Sequence, residues 1–459
     1  MDSDALQLRA PLIPPKPRAP PRPLRGLRLV QAMRASMLSI WGERAYELPI
    51  IKGKSFGRVS LLVSDPAAVR RVMVENAANY RKHVNVFRLT RPIVGEGLLL
   101  SEGGEWRRQR RALSPAFTPA HVEGLTPHFA EAAHGLIART QGKPRVNLSR
   151  ELGATALDAA SRSMFSMPIG GRGARLAEIL RGYGAGPGRP SLWDTLAMEE
   201  GDFRWLTPGR PQFRRRWSAE IDAIVAARRA RPREEGGQDD VLDLLLKVRD
   251  PETGEGLGDA EVRDQTSTML TAGFETTARA LFWTLYLLSL DRAEQDRIRA
   301  ELEADPPEPR APRTAGRWPR LRQALLEAMR LYPPAPLLFR TAVADDVLSG
   351  VEVPQGATVI ISPWILHRHR LLWDQPDAFM PERFAGRMQE YLTSAAYIPF
   401  GAGPRICIGA SFAITEAVVV LAILLSRVEV VLDDDRPLTP RSVITTHPDI
   451  EPWFRLVAA

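Results

Sequence analysis

One cysteine, Cys407, stands in 459 residues, and that single thiol closes off more architectures than any other feature of the chain. No intrachain disulfide can staple the fold, and no zinc or iron–sulfur site built from several thiolates can form. Stability must then come from an apolar core. With 44% hydrophobic and 25% charged residues, the composition is ordinary globular usage, which excludes a fibrous, collagen-like or wholly disordered chain. Lys+Arg 62 against Asp+Glu 54 leaves a net charge of +8. That is too little over such a length to argue for nucleic acid, and the basic residues are scattered without a binding motif. It suits one basic patch that meets an acidic protein. A lone cysteine suits a reducing compartment. The first ten residues carry Asp2 and Asp4 and no apolar run, unlike a secretory signal. No uncharged apolar stretch is long enough to span a bilayer: 280–290 is too short, and 410–425 is interrupted by Glu416. A cytoplasmic protein without a transmembrane anchor is expected.

Residues 11–23 hold seven prolines, which fix φ and remove N–H donors, so residues 1–39 read as an extended Pro/Arg-rich arm. Strand-like runs follow at 47–52 and 57–63. Asp65 is placed to cap a helix over 66–75. From 106 to about 249 the pattern is mostly helical, with Gly/Pro punctuation at 182–190 and 208–211 and a polar loop at 234–238. Asp259 is placed to cap a long helix reaching about Leu290. A loop over 305–319 precedes a helix at 321–331, stopped by Pro333-Pro334. Strands are expected at 337–343, 350–353 and 358–362, and a buried last helix at 408–426. The chain reads as mainly α with minor β, an α+β protein whose residues 40–459 form one domain.

The cysteine sits in Phe400-Gly401-Ala402-Gly403-Pro404-Arg405-Ile406-Cys407-Ile408-Gly409. The first two glycines allow a tight turn. A thiolate just ahead of a helix is favoured by the helix N–H groups and by the nearby Arg405. Gly409 leaves room for a flat group, and Phe400 could shield the sulfur. A lone cysteine is otherwise a small buried hydrophobe. The combination of glycines, arginine and helix start favours a ligand-like thiolate.

This segment resembles the haem-ligand loop of the cytochromes P-450, F-G-x-G-x-R-x-C-x-G, and matches every fixed position. The resemblance runs from about Ile40 to the C-terminus. It implies haem b lying between the long oxygen-binding helix and the post-cysteine helix, with Cys407 as proximal ligand to the iron. Ala272-Gly273-Phe274-Glu275-Thr276-Thr277 resembles the family's oxygen-binding kink. There a threonine bonds a carbonyl one turn back, and Glu275 and Thr276 would form the acid–alcohol pair that relays protons. Glu327 and Arg330 share a helix face and resemble the family's E-x-x-R, completed by Arg383 in Pro381-Glu382-Arg383-Phe384. Their implied role is structural, through bidentate arginine–carboxylate bonds. Trp106 and Arg110, four apart on a helix, resemble the W-x-x-x-R that binds a haem propionate. Arg340, Arg405 and Lys82 are implied to complete that set.

By the same resemblance the substrate meets Leu98, Leu99, Met269, Leu270, Phe274, Leu337 and Leu338. All are apolar, so a hydrophobic organic compound is expected. The implied activity is that of a monooxygenase, inserting one atom of O2 by hydroxylation or epoxidation. Electrons would come from a ferredoxin or flavodoxin with its reductase, docking on a positive cluster of Arg107, Arg108 and Arg111 beside the Arg405 loop, and the enzyme would act as a monomer. A peroxygenase, a rearranging haem enzyme or a non-catalytic haem module are the competing readings, each disfavoured by the Glu275–Thr276 pair.

Overall fold

The computed structural model of the chain describes residues 11–55, 57–166, 170–199, 201–202, 204–230, 240–249, 254–310, 313–314 and 316–458. The loop expected at 234–238 lies outside them. Helices surround a five-stranded sheet and three two-stranded pairs. The sheet runs Ile50–Ser55, Arg58–Val63, Thr358–Ile361, Leu338–Ala342, Tyr80–Lys82. Its second and third strands pair in parallel and the other pairs are antiparallel. Val359 and Ile361 alternate inward on one face, where they join Leu61, Val63 and Leu366 in a small core of their own.

The long helix spans Asp259–Leu290. Leu281 to Leu288 are buried on every side of it, so this half must be wrapped by other helices. It runs along Leu148–Phe165 and also meets Pro319–Leu331, Gly209–Ala230, Val84–Val94 and Ala410–Leu425. Gly273 explains the closest of these approaches. A Cβ there would come 3.0 Å from Met164 Cε and 3.7 Å from Ala160 Cβ, so close helix packing offsets its poor helix propensity. The cap differs from expectation by one residue. Gly258 precedes the helix, with its N–H donating to Glu261 Oε2 at 3.0 Å. Asp259 is the first helical residue, where a negative charge suits the helix dipole.

Asp65 caps Pro66–Arg70 by accepting from Ala68 N at 3.2 Å. The following turns, Arg71–Glu75, widen to a π-type helix. The proline-rich residues 11–20 are extended, but part of the arm is helical: Gly26–Ala35 coils once the prolines end, burying Val30. The arm also holds to the body. Tyr332 Oη donates to Pro15 O at 2.8 Å, Phe379 N to Leu12 O at 2.8 Å, and Lys16 pairs with Asp377 at 2.5 Å. After the last helix, Ala410–Leu425, come two antiparallel pairs absent from the sequence reading. These are Val428–Leu432 with Phe454–Ala458, and Pro440–Ser442 with Thr446–Pro448.

Candidate active site

Gly401 and Gly403 both adopt positive φ, at +75° and +68°. A Cβ on Gly403 would stand 2.0 Å from Met73 O, so only glycine fits that turn. The turn brings Cys407 N to Phe400 O at 2.9 Å, and Arg110 Nη1 closes it by donating to Ile406 O at 2.6 Å. Cys407 presents accessible surface although protein surrounds it, so the sulfur lines an interior cleft rather than the outer face. Phe400 and Gly409 are half-buried beside it. Burial pushes the thiol above its ordinary pKa, and it outweighs the Gly409 N–H and the Arg110 charge, which pull downward. The expected helix-start contribution is present as the Gly409 N–H, and the nearby arginine charge acting on the sulfur is that of Arg110.

The cations gather on one side. Arg405 Nη1 donates to Ser101 O at 2.7 Å and Nη2 to Glu102 Oε2 at 2.7 Å, with its guanidinium 4.2 Å from the Trp106 ring centroid. Lys82 Nζ donates to Ser101 O at 3.1 Å, and Arg340 lies opposite Lys82 in the sheet register. Burial pulls the Lys82 ammonium down to about 7, opposed by Glu102 and reinforced by Arg405 and Arg340. Burial also lowers Arg340 and Arg405. Three crowded cations around one carboxylate make a site short of negative charge. The sequence reading had not found Glu102. Arg110 is bonded to the backbone of the cysteine loop, and its charge also acts on Arg405.

On the long helix, Ala272 is exposed and Thr271, Gly273, Glu275 and Thr276 are half-buried, while Phe274, Thr277 and Ala278 are buried. Thr276 Oγ1 donates to Ala272 O at 2.7 Å, and the helix continues unbroken through this turn. Glu275 does not bond Thr276. Its Oε1 accepts from Thr445 Oγ1 at 2.8 Å, in the turn of the hairpin Pro440–Pro448. Next to it, Thr277 faces Glu416 of the post-cysteine helix. Glu416 is wholly buried, and burial holds its carboxyl far above the usual range. The Thr277 hydroxyl lowers that shift a little without reaching hydrogen-bond geometry.

Of the expected substrate contacts, Leu99 is 44% exposed, and Leu337 and Leu338 are half-buried. Leu98, Met269 and Phe274 are buried. Leu270 has no exposed surface at all. It lies two residues from Ala272, hence about 200° around the helix, and faces the core instead of the cleft. Ile444, in the same turn as Thr445, is 39% exposed and adds an apolar side chain that the sequence reading had missed.

Behind the cleft, Glu327 is buried and receives Arg330 Nε at 2.7 Å and Nη2 at 2.8 Å, Arg383 Nε at 3.1 Å and Met380 N at 2.9 Å. Arg330 spends its remaining donors on His367 O, Pro376 O and Ala378 O at 2.6, 2.7 and 2.9 Å. His367 Nε2 then accepts from Ile398 N at 2.9 Å, two residues before Phe400. Burial holds His367 far below its ordinary pKa, so the ring stays neutral and able to accept. This chain of bonds connects the carboxylate cluster to the cysteine loop.

The positive patch is smaller than expected. Arg108 pairs with Glu105 at 2.7 Å and with Glu261 of the long helix, so it joins two helices. Arg107 and Arg111 remain exposed.

An accessible sulfur in a closed cleft and a cation group short of anions fit a flat dianionic metal cofactor such as haem. The comparisons agree. The cytochrome P-450 family profile matches residues 15–450. Cyclooctatin synthase of Streptomyces melanosporofaciens is 32% identical over 79% of this chain and 78% of its own length. Cyclooctat-9-en-7-ol 5-monooxygenase of the same organism is 32% identical over 80% and 79%. Among solved structures, the haem domain of cytochrome P-450DA superposes with a TM-score of 0.77 at 26% identity, covering 98% of this chain and 99% of that one.

Proposed function

Because the chain belongs to the cytochrome P-450 family, we propose that this monooxygenase acts on a hydrophobic organic molecule by hydroxylation or epoxidation, with electrons from a separate ferredoxin or flavodoxin and its reductase. The observation that carries this reading is the cleft itself. Cys407 opens onto it, the cations Lys82, Arg340 and Arg405 gather at one side, and the half-exposed Leu99, Leu337, Leu338 and Ile444 offer apolar surface. When bound, haem b supplies the iron at which dioxygen is reduced. Lys82, Arg340 and Arg405, with Trp106 stacked beneath Arg405, would hold its two carboxylates, and Cys407 would hold the metal. Apolar walls exclude water and orient the substrate by shape. Glu275 and Thr276 handle protons. The enzyme works as a cytoplasmic monomer on this reading, and no described helix is long and apolar enough to cross a membrane.

Spectral titration with hydrophobic compounds tests the substrate class. The cyclic alkenol named in one relative is a reasonable first probe. Saturable loss of the haem-bound water signal by apolar compounds, and not by polar analogues, is the expected result. The reverse preference would refute the class.

Thr276→Ala keeps haem and substrate binding but lowers product formed per electron pair by roughly tenfold, less than the roughly hundredfold or more that a positioned proton donor contributes to a rate, because solvent still supplies protons. The missing product reappears as hydrogen peroxide. Unchanged coupling would remove Thr276 from the relay.

The exposed pair Arg107 and Arg111 suits an acidic donor, and such attraction mainly raises the encounter rate. Arg107→Glu with Arg111→Glu slows the first electron transfer by about tenfold at low salt, and added salt narrows the gap. Substrate affinity stays the same. Stopped-flow reduction at the wild-type rate at low salt would place the donor elsewhere.

A further inference from the structure

The carboxylate of Glu275 is turned toward a hairpin that begins 165 residues away in sequence at Pro440, not toward the neighbouring hydroxyl. Thr445 Oγ1 donates to Glu275 Oε1 at 2.8 Å, while the proton of Thr276 Oγ1 is committed to Ala272 O. Thr445 is buried at 7% exposure, so this hydroxyl is fixed and not a passing surface contact. His447 follows on the same hairpin, its Nδ1 3.1 Å from Thr445 O. The charges of Arg279 and Glu275 on the long helix and of Arg441 on the hairpin all act on its ring. Arg279 is anchored by Ser149 Oγ at 3.2 Å, and Arg441 is exposed 3.8 Å from Asp449. His447 therefore meets the backbone of Thr445, and the Thr445 hydroxyl is left to Glu275.

We propose that Thr445 is the positioning residue of Glu275, holding its carboxylate on the hairpin side between proton transfers. The proposal rests on Glu275 and Thr276 being the relay. Each turnover takes two protons and two electrons: RH + O2 + 2e− + 2H+ gives ROH + H2O. Held by Thr445, the half-buried Glu275 carboxylate takes up a proton from solvent. Rotation about its side-chain torsions then carries that proton to the Thr276 side, and the carboxylate returns to its anchor. Without it the same electrons and protons leave as peroxide: O2 + 2e− + 2H+ gives H2O2.

The test compares Thr445→Val, Thr445→Ser and Glu275→Gln in the haem-loaded protein. Thr445→Val is expected to lower product per electron pair about tenfold, the low side of what one hydrogen bond to a charged group contributes, with haem content and substrate affinity unchanged. Thr445→Ser, which keeps the hydroxyl, restores coupling. A second readout needs no turnover. The infrared carboxylate band that disappears in Glu275→Gln should shift in Thr445→Val and stay in place in Thr445→Ser. Wild-type coupling and an unshifted band in Thr445→Val, with Glu275→Gln uncoupled, would overturn the role of Thr445 and leave the relay intact. Equal losses in Thr445→Val and Thr445→Ser would reduce Thr445 to packing and overturn it too. Wild-type coupling in Glu275→Gln would bring down both the relay and this extension of it.

Discussion

Cys407→Ala leaves a protein that no longer turns over and whose reduced carbon-monoxide complex has lost the red-shifted band of a thiolate-ligated haem. The sulfur is the only thiol in the chain, so no second cysteine can replace it. Its neighbours Phe400, Gly409 and Ile406 carry no ligating atom in their side chains. The thiolate supplies electron density that favours breaking the oxygen–oxygen bond, and alanine supplies none. Arg110, Trp106 and the Lys82–Arg340–Arg405 group are untouched by the change, so some haem can still be retained. The spectrum therefore separates loss of the ligand from loss of the cofactor. A mutant that keeps both the band and turnover would show that Cys407 is not the ligand.

The second large effect belongs to the buried carboxylate behind the cleft. Glu327→Ala strands Arg330 and Arg383, and Arg330 is fully buried. Breaking a buried, hydrogen-bonded ion pair costs about 3–5 kcal/mol, against a total stability of roughly 5–15 kcal/mol. The folded holoprotein should therefore accumulate poorly, and its urea midpoint should fall sharply. Arg387→Ala removes a comparable i,i+3 pair with Glu390, but both partners are more than half exposed, and no measurable change is expected. Equal behaviour of the two variants would mean that the Glu327 cluster does not brace the cysteine loop.

Local motifs were legible where the chemistry is short-range. The glycines, arginine and cysteine of residues 400–409 and the i,i+3 pair Glu327–Arg330 lie within one turn or one loop, so their spacing implies their geometry. Long-range partners were not legible. Glu102 beneath Arg405, His367 bonding Ile398 N, and Thr445 holding Glu275 are joined only when distant segments fold together. Arg108 shows the same limit, because its helix spacing reads as a free basic face until Glu261 of another helix closes on it. Leu270 was misplaced for a different reason: apolar type alone does not tell the cleft face of a helix from its core face. Around Cys407 the helix start is visible in sequence, whereas the burial of the thiol and the approach of Arg110 are not. The hairpin Pro440–Pro448 was missed because its three-residue strands, Pro-Arg-Ser and Thr-His-Pro, carry no alternating pattern, and Val428–Leu432 finds its partner Phe454–Ala458 only across a long connection.

The most direct measurement is turnover under isotopically labelled dioxygen. The haem-loaded protein is supplied with 18O2, a ferredoxin–reductase pair and a hydrophobic compound chosen by spectral titration. One labelled atom in each product molecule, the other recovered as water, and no product without the electron donor is the predicted result. Unlabelled product, or product formed equally well with the donor omitted, would contradict a monooxygenase.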